Sequence, residues 1–238
     1  MHRITRDLLF RIMTTREIIY MILDQARLVT DDITLNEEHA LFLAKKIRAA
    51  LLVQKYKTVK LEVADANYQV LCIGLEEVAP INGAACEGES YIRSTGKVPN
   101  RLNIGNDLVT PYDYLGGMNI SLVPIEQLRY VGQNKFMRNI IYAAIGHDGY
   151  LYLKSQNPQF RYLKQVKLTG VFEDFEEASR LLCDETCELL DTTFPIEDAL
   201  VNALVEAAVK ELVGAAYRPK DNKNDADDDT PEAAATKK

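Results

Sequence analysis

The sequence contains no tryptophan and only three histidines among its 238 residues. So few histidines leave little material for a histidine-based metal site. Long apolar runs are absent too. No segment approaches the roughly 20 apolar residues that a membrane span requires, and residues 1–10 are not followed by an apolar run of signal-peptide length. We therefore expect a protein made and kept in a cytoplasm, without membrane contact.

Cysteine is scarce, with four copies at Cys72, Cys86, Cys183 and Cys187. In a chain of this size and setting, free thiols are the default expectation. Cys183 and Cys187 are four residues apart in a predicted helix, so they share one face and could form half of a zinc site. No second pair has ligand spacing. The sequence thus predicts ordinary thiols, no metal and no cofactor.

Positively charged residues are fewer than negatively charged ones. The sequence has 28 lysines and arginines and 35 aspartates and glutamates, which give a net charge of −7. Binding to phosphates needs clustered positive charge, so a chain-wide grip on nucleic acid is excluded. One predicted helix has a local basic surface, which leaves a nucleic-acid-binding module open as an alternative; such a surface is more often simply solvated. Its residues are Lys45, Lys46, Arg48 and Lys55.

Catalytic motifs are lacking as well. The sequence has no phosphate-binding P-loop, no G-x-S-x-G nucleophile elbow and no H-E-x-x-H zinc motif. His147-Asp148-Gly149 fits a hairpin tip better than a catalytic site, because Asp and Gly suit turn geometry. We predict no catalytic residue, and the enzyme alternative requires an unrecognised site in the middle of the chain.

The beginning of the chain predicts two helices. Thr14 and Glu17 have the spacing of a capping box, and apolar residues then recur at helical spacing. Asn36 is a good N-cap for a second helix that reaches about Tyr56. Around Thr58 the periodicity changes, which predicts the end of the helical segment.

The middle of the chain predicts mostly antiparallel β structure. Two apolar runs over residues 139–154 flank Asp148-Gly149, a type I′ hairpin signal. Further strands are expected over residues 69–75, 120–123 and 165–169, and a weaker one over 127–130. Residues 80–119 contain six of the twelve glycines and three of the eight prolines, so they read as a long irregular stretch interrupted by short strands at 91–94 and 102–104.

The end of the chain returns to helical patterns. One helix is expected from Asp174 to about residue 190, and another over residues 196–217. The second is apolar except for one stripe, so we expect it to be buried on most sides, by its own fold or by neighbouring subunits. Residues 219–238 form a polar tail without a large apolar residue, which cannot build a core. The stripe consists of Asp198, Asn202, Glu206 and Lys210.

These patterns predict an α+β fold, in which a helical bundle made from both ends of the chain carries an inserted, mainly antiparallel β domain and an extended C-terminal tail. The expected divisions are residues 1–58 for the N-terminal helical hairpin and 59–172 for the β domain with its long loops. Residues 173–218 form the C-terminal helices, and 219–238 form the tail.

The sequence resembles the head-to-tail connector, or adaptor ring, proteins of short-tailed bacteriophages, and most closely the ring proteins of crAss-like phages. Three stretches carry the resemblance: TTREIIYMILDQARLV with NEEHALFLAKKIRAALLVQKY, the hairpin IIYAAIGHDGYLYLKS, and FPIEDALVNALVEAAVKELVGAAYRPKDNKNDADDD. The helix–β–helix order agrees with that family's fold. None of the three stretches is a diagnostic motif by itself.

The resemblance implies a non-enzymatic virion protein at the head-to-tail interface. About twelve copies would form a homo-oligomeric ring on the portal protein, extend the DNA channel and offer a docking surface to other tail proteins. Genomic DNA would pass without sequence-specific binding, and an acidic lumen suits sliding. Assembly would take place in the host bacterial cytoplasm. The alternative within this class is another head- or tail-completion ring subunit.

The resemblance also implies that a C-terminal segment docks on the portal. Four tyrosines are candidates for inter-subunit or tail-facing contacts, since Tyr is favoured at interfaces, although ordinary β packing would also explain them. The irregular residues 80–119 are a further candidate for contacts between subunits. The candidate docking residues are Arg218, Pro219, Lys220, Asp221, Asn222, Lys223, Asn224 and Asp225, and the tyrosines are Tyr112, Tyr114, Tyr150 and Tyr152.

Overall fold

The computed structural model of the chain describes residues 13–29, 36–59, 62–78, 91–105, 107–112, 120–183 and 189–216. Within these ranges lie four α-helices: α1 (Thr15–Val29), α2 (Glu37–Val59), α3 (Phe175–Ser179) and α4 (Asp198–Ala216). Seven strands lie between α2 and α3. They are β1 (Gln69–Val78), β2 (Tyr91–Ser94), β3 (Leu108–Pro111), β4 (Ile120–Leu122), β5 (Ile141–Ile145), β6 (Leu151–Lys154) and β7 (Gln165–Gly170).

The two N-terminal helices begin where the capping residues predicted. The Thr14 amide donates to Glu17 Oε2 at 3.0 Å, and the Glu17 amide donates to Thr14 Oγ1 at 3.3 Å. Asn36 Oδ1 accepts a hydrogen bond from the Glu38 amide at 3.0 Å. Each contact satisfies an amide that has no partner inside its own helix.

The three longer helices share one apolar core. Its buried members include Ile18 and Ile22 of α1, Ala44 of α2, and Leu204 and Val205 of α4. Helix α4 buries one face. Its polar stripe is exposed, as is Ala203, so the fold of this chain does not bury the helix on most sides. Exposed alanines such as Ala203 count as apolar in the sequence, so the apolar pattern of α4 covers more of the helix than the part that is buried. Burial by neighbouring subunits, the other expected possibility, stays a prediction.

The seven strands form a closed barrel in the order β1-β2-β6-β5-β4-β3-β7. Antiparallel pairing of β1 with β7 closes it, and β4 pairs with β5 in parallel. Alternate residues of each strand point inwards, so the interior is filled by apolar side chains. Leu71 of β1, Val109 of β3, Ile141 of β5, Leu153 of β6 and Leu168 of β7 are among these buried residues.

The predicted fold class, a helical bundle with an inserted β domain, is wrong. The organising unit of the structure is the closed seven-stranded barrel, with four α-helices in the described part of the chain. Closure depends on pairing between strands far apart in sequence, such as Leu71 with Leu168. Local periodicity predicts individual strands but contains no information about such partners. The predicted tail and residue 217 onwards lie outside the described residues.

The irregular stretch was the main cause of that error. Within residues 80–119, β2 matches the expected 91–94 strand, whereas β3 had no prediction and residues 102–104 form a turn. Strand β3 has only four residues and ends in Pro111, yet it supplies the link between β4 and β7. Such a short strand gains its stability from neighbours on both sides, so its own sequence signal is weak.

The 139–154 hairpin is confirmed by β5 and β6. Its turn is longer than the predicted two residues: the Gly146 amide donates to the Tyr150 carbonyl at 2.8 Å, which leaves residues 147–149 between them. Gly149 has φ of +84°, the left-handed conformation that favours glycine. The weak strand over 127–130 is wrong, because a short 3-10 helix at Ile125–Gln127 runs into a series of turns.

The helix expected from Asp174 to residue 190 is much shorter than predicted. Asp174 caps α3 as expected, with its side chain accepting from the Glu176 and Glu177 amides, but the helix ends after Ser179. The following chain pairs with β1 instead, and Cys183 forms a disulfide with Cys72. The free-thiol expectation is therefore wrong for these two cysteines, while Cys86 and Cys187 lie outside the described residues.

Candidate assembly interface

The candidate portal-docking residues 218–225 and Tyr114 lie outside the described residues, so their assignment stays a prediction. The other three candidate tyrosines are described, and they do not form one cluster. Tyr150 and Tyr152 belong to the side of the barrel formed by β6, whereas Tyr112 follows β3. Three strand positions separate β6 from β3 around the closed sheet.

Tyr150 is half-buried beside an ion pair on the outer surface of the barrel. The Arg93 guanidinium lies 4.5 Å from the centre of the Tyr150 ring. Arg93 Nη2 also lies 2.6 Å from Glu76 Oε1, on the neighbouring strand β1. Hydrogen bonding to Glu76 is the main reason that the pKa of Arg93 is raised. The arrangement holds the ring against the sheet and leaves part of its surface open to a partner.

Tyr152 has a structural role within the chain. It is 9% exposed, and its hydroxyl donates to Asp148 Oδ2 at 2.6 Å. Partial burial raises the pKa of the Asp148 carboxyl, but the hydrogen bonds from Tyr152 and from the Tyr150 amide outweigh that effect and lower it overall. The contact stabilises the 147–149 turn, so little of Tyr152 remains available to a neighbouring subunit.

Tyr112 lies on the opposite side of the barrel in a partly apolar surface. It is 41% exposed, and Lys167 Nζ lies 4.9 Å from the centre of its ring. The outward-facing Val70 and Leu108 are also exposed, and each lies opposite Thr169 in the pairing of β1 and β3 with β7. This surface combines apolar area with a positive charge.

A set of exposed residues that the sequence reading missed lies between β4 and β5. Parallel pairing of these strands requires a crossover, and residues 123–140 form it; we call them the crossover loop. Three large apolar side chains in it are exposed: Tyr130 by 68%, Phe136 by 81% and Met137 by 48%. The absence of any acidic residue from 129 to 139, in an acidic chain, was the available signal.

The basic surface predicted for α2 is largely used inside the chain. Lys45 Nζ lies 2.6 Å from Glu176 Oε2, and Lys55 Nζ lies 2.8 Å from Glu197 Oε1. Burial lowers the pKa of Lys45, but the Glu176 hydrogen bond and the Asp174 charge outweigh it and raise that pKa overall. These pairings leave little free positive charge for phosphates, which disfavours the nucleic-acid-binding alternative.

Lys46, the third residue of the predicted surface, is exposed, whereas Arg48 is completely buried. Its Nε donates to the Pro195 carbonyl at 2.7 Å, and its Nη1 donates to the Phe172 carbonyl at 2.8 Å. Burial lowers the pKa of Arg48 to about 9, and the Asp174 charge opposes the shift. The guanidinium therefore stays charged at neutral pH and joins α2 to the chain on both sides of α3.

A cleft of about 330 Å³ lies between α2 and the chain that follows β7; we call it the helix cleft. Phe42, which is 51% exposed, and Ala49 form part of its apolar wall. Glu173 and Glu177 line the other side, and no cation of the described ranges pairs with either carboxylate.

Lys45 and Lys46 of α2 line the helix cleft as well. Lys45 is paired with Asp174 and Glu176, and Lys46 Nζ lies 6.0 Å from the centre of the Phe42 ring. The helix cleft thus combines apolar surface with charges of both signs, among which carboxylates outnumber lysines.

The described residues show neither a metal-binding cluster nor a membrane-spanning helix. No group of three or more His, Cys, Asp or Glu residues there is placed to hold a metal ion. None of the helices described is both long and apolar enough to cross a membrane. The shifted pKa values discussed above belong to groups engaged in pairs that support the fold, and those groups do not meet in one pocket.

Comparison with known proteins decides the family. A family model described as phage tail ring protein 2 matches residues 17–230 of the chain. The chain belongs to the phage tail ring protein 2 family. Within this family, the protein named "Ring protein 2" of Bacteroides phage crAss001 is 48% identical over 225 residues, which cover 93% of this chain and 100% of that relative. The resemblance to ring proteins of crAss-like phages is confirmed.

Membership in the phage tail ring protein 2 family makes this chain a structural component of a phage particle. The match spans the helices, the barrel and most of the C-terminal segment, so both the described fold and the candidate docking residues fall inside it. The candidate assembly surfaces among the described residues are those around Tyr112 and Tyr150, the crossover loop and the helix cleft.

Proposed function

We propose that this phage tail ring protein is one subunit of a ring at the head-to-tail junction, which docks on the portal, extends the DNA channel and offers the tail its attachment surface. The observation that carries the proposal is the family match over residues 17–230. A relative with 48% identity over nearly the whole chain is itself named a ring protein. The role is structural, and about twelve copies would form a closed cyclic ring.

Charge supports the proposed DNA channel. The net charge is −7, and three cations of α2, Lys45, Lys55 and Arg48, are occupied by Glu176, Glu197 and backbone carbonyls, while Lys46 is exposed. A lumen poor in free cations releases few counterions on contact with DNA, so the DNA slides instead of adhering. In a filter-binding experiment at low salt, the full chain is expected to retain no DNA above background.

The first test is the copy number in purified particles. Quantitative mass spectrometry would compare this chain with the major capsid protein of the same phage. A ratio equivalent to about a dozen copies per particle agrees with a ring. Absence from the particles, or a single copy, would refute it.

The second test concerns residues 218–225 as the portal contact. A variant lacking residues 219–238 is expected to lose binding to the purified portal while its thermal unfolding stays unchanged. A variant lacking only residues 226–238 keeps all eight candidate residues and serves as the matched control, with binding retained. Unimpaired portal binding by the shorter variant would refute the docking assignment without affecting the ring.

A second candidate function is a ring further along the tail that does not touch the portal. The description of the family as a tail ring protein favours it. Cross-linking within intact particles separates the two candidates. Links to the portal support the connector, and links to tail proteins alone support the second candidate.

A further inference from the structure

The crossover loop carries a compact surface of unusual composition, residues 129–139, which we call the basic knob. It contains Arg129, Lys135 and Arg138 and no acidic residue. Residues 133–139 are all exposed. Phe136 is 81% exposed and Met137 48% exposed, so apolar area and positive charge lie side by side. Aromatic residues, Met and Arg are the types enriched at protein interfaces.

The basic knob is fixed by contacts of its own. The Phe136 amide donates to Asn134 Oδ1 at 3.2 Å, and the Met137 amide donates to the Asn134 carbonyl at 2.9 Å. Leu128, at the start of the turns, is buried against Tyr142 of β5. A surface held in this way loses little conformational entropy when a partner binds, which favours association.

The basic knob and the helix cleft lie on opposite sides of the barrel. The crossover loop packs on the outer faces of β5 and β6. Glu173 and Glu177 follow β7, which lies three positions from β6 in one direction and three positions from β5 in the other. A cyclic ring needs two different patches on opposite sides of each subunit, one meeting the other on the neighbour.

Charge distinguishes the helix cleft from the other exposed apolar surface on that side. The surface around Tyr112 includes Lys167, which would repel the basic knob. The helix cleft also has an exposed lysine, Lys46, beside Phe42, but it adds the carboxylates of Glu173 and Glu177, which outnumber that cation. Opposite charges across an interface favour the correct partner and disfavour like-charged surfaces.

We propose that the basic knob of one copy of this chain docks in the helix cleft of the next copy. Phe136 contacts Phe42, and Lys135 and Arg138 face Glu173 and Glu177 of the neighbouring copy. This inference rests on the proposed ring function and deepens it, because it assigns the surfaces through which subunits meet. DNA is the less suitable partner for the basic knob, since phosphates make no use of Phe136 and Met137.

A mixing experiment with full-length variants tests the head-to-tail contact. The knob variant carries Lys135→Ser and Phe136→Ser, and the cleft variant carries Glu173→Lys and Glu177→Lys, so the altered knob and the altered cleft do not attract each other. Each variant alone is expected to associate at least about tenfold more weakly than the unchanged chain in sedimentation velocity. Mixed together they retain one intact contact, from the knob of the cleft variant to the cleft of the knob variant. The mixture is therefore expected to form a 1:1 dimer and nothing larger.

The controls separate a lost interface from a lost fold. Tyr162→Ser removes an aromatic side chain that is 83% exposed but lies outside the basic knob, and it should associate like the unchanged chain. All variants should unfold at the same urea concentration, because the changed side chains are exposed. Unaltered self-association of either double variant would overturn the proposal. Failure of the mixture to dimerise, or an unchanged chain that stays monomeric up to about 1 mM, would also overturn it.

Zero-length carbodiimide cross-linking in purified particles tests the same contact in the assembled state. The expected product joins the Lys135 amine to the Glu173 or Glu177 carboxyl, and its two ends come from opposite sides of the barrel, hence from two copies. Links from Lys135 only to another virion protein or to DNA would overturn the proposal. If several copies occur per particle but this link is absent, only the interface fails. A single copy per particle refutes the ring function itself.

Discussion

The guanidinium of Arg48 donates a hydrogen bond of 2.8 Å to the carbonyl oxygen of Phe172, which connects α2 to the chain just after β7. The same side chain also reaches the Pro195 carbonyl, before α4. One buried charge thus fixes the helices against the end of the barrel. Helix packing and barrel closure are linked through this residue.

Replacing Arg48 should therefore destabilise the whole fold. In Arg48→Met, two buried carbonyls lose their donor, and we expect the free energy of unfolding to fall by about 2–4 kcal/mol. Urea unfolding followed by circular dichroism measures the change. Lys46→Met, at an exposed position of the same helix, should stay within about 0.5 kcal/mol of the unchanged chain. A loss below about 1 kcal/mol for Arg48→Met would show that the two hydrogen bonds only balance the cost of burying the charge.

Tyr56 should make stability fall at alkaline pH. Its hydroxyl donates to Glu197 Oε1 at 2.8 Å, and burial, followed by that hydrogen bond, raises its pKa. The folded chain keeps the phenol proton to a higher pH than the unfolded chain does. Stability therefore falls as pH rises through about 10, the ordinary value, and levels off above the folded pKa.

Tyr56→Phe tests this dependence. The variant should lose about 1–2 kcal/mol at pH 7, since Asn67 Nδ2 and the Ala64 amide also lose their acceptor. It should show a shallower decline of stability between pH 9 and 11, in the range of the ordinary tyrosine pKa of about 10. Tyr20→Phe, at a position 46% exposed, is the matched control and should keep the full decline. Parallel pH curves for Tyr56→Phe and the unchanged chain would contradict the assignment.

The Cys72–Cys183 disulfide should be detectable after purification without reductant. Peptide mapping is expected to recover these two cysteines joined, 111 residues apart in sequence. Because the bond closes a long loop, Cys183→Ser should lower the free energy of unfolding by about 2–4 kcal/mol. Cys187→Ser leaves the bonded pair intact and is the control. Equal stability of the oxidised and fully reduced chains would argue against a structural role for this bond.

Two glycines near the hairpin tip allow a matched pair of substitutions. Gly149 has φ of +84°, whereas Gly96 has an ordinary φ and nothing within 4 Å of an added Cβ. Gly149→Ala should cost about 1–2 kcal/mol, because a side chain is strained in the left-handed region. Gly96→Ala should be near neutral. Thermal unfolding of the two variants gives the comparison, and a neutral Gly149→Ala would mean that the turn can rearrange.

Much of the local structure could be predicted from particular residues. Thr14 with Glu17, Asn36 and Asp174 mark helix starts because a side chain in the right place satisfies an unpaired amide, and that requirement is local. The hairpin around Gly149 was equally readable, since left-handed backbone selects glycine. These features need only a few adjacent residues, and all of them were found.

The features that the sequence did not reveal depend on distant partners. Barrel closure pairs Leu71 with Leu168, and the disulfide joins Cys72 to Cys183. Lys45 and Lys55 looked like a free basic surface because their carboxylate partners, Glu176 and Glu197, come more than a hundred residues later. Charge and periodicity along the chain describe neighbours in sequence, whereas these interactions are set by the folded topology.

The candidate interface likewise has one property that the sequence predicts and one that depends on the fold. The apolar and basic composition of residues 129–139 is visible in the sequence, but their exposure is not, because Phe136 and Met137 are residue types that are most often buried. The crossover that parallel pairing of β4 and β5 demands is what holds this segment on the outside of the sheet.

Barrel closure also has a consequence for how these subunits coexist before they assemble. Each of the seven described strands has hydrogen-bonded neighbours on both sides, so the described sheet offers no open edge. An open edge recruits strands from any passing molecule, which leads to indiscriminate fibrous aggregation. Two copies that collide before assembly therefore cannot pair strand to strand through the backbone of the described sheet. In the described part of the chain, contacts between copies therefore depend on side-chain surfaces, whose shape and charge distinguish one partner from another.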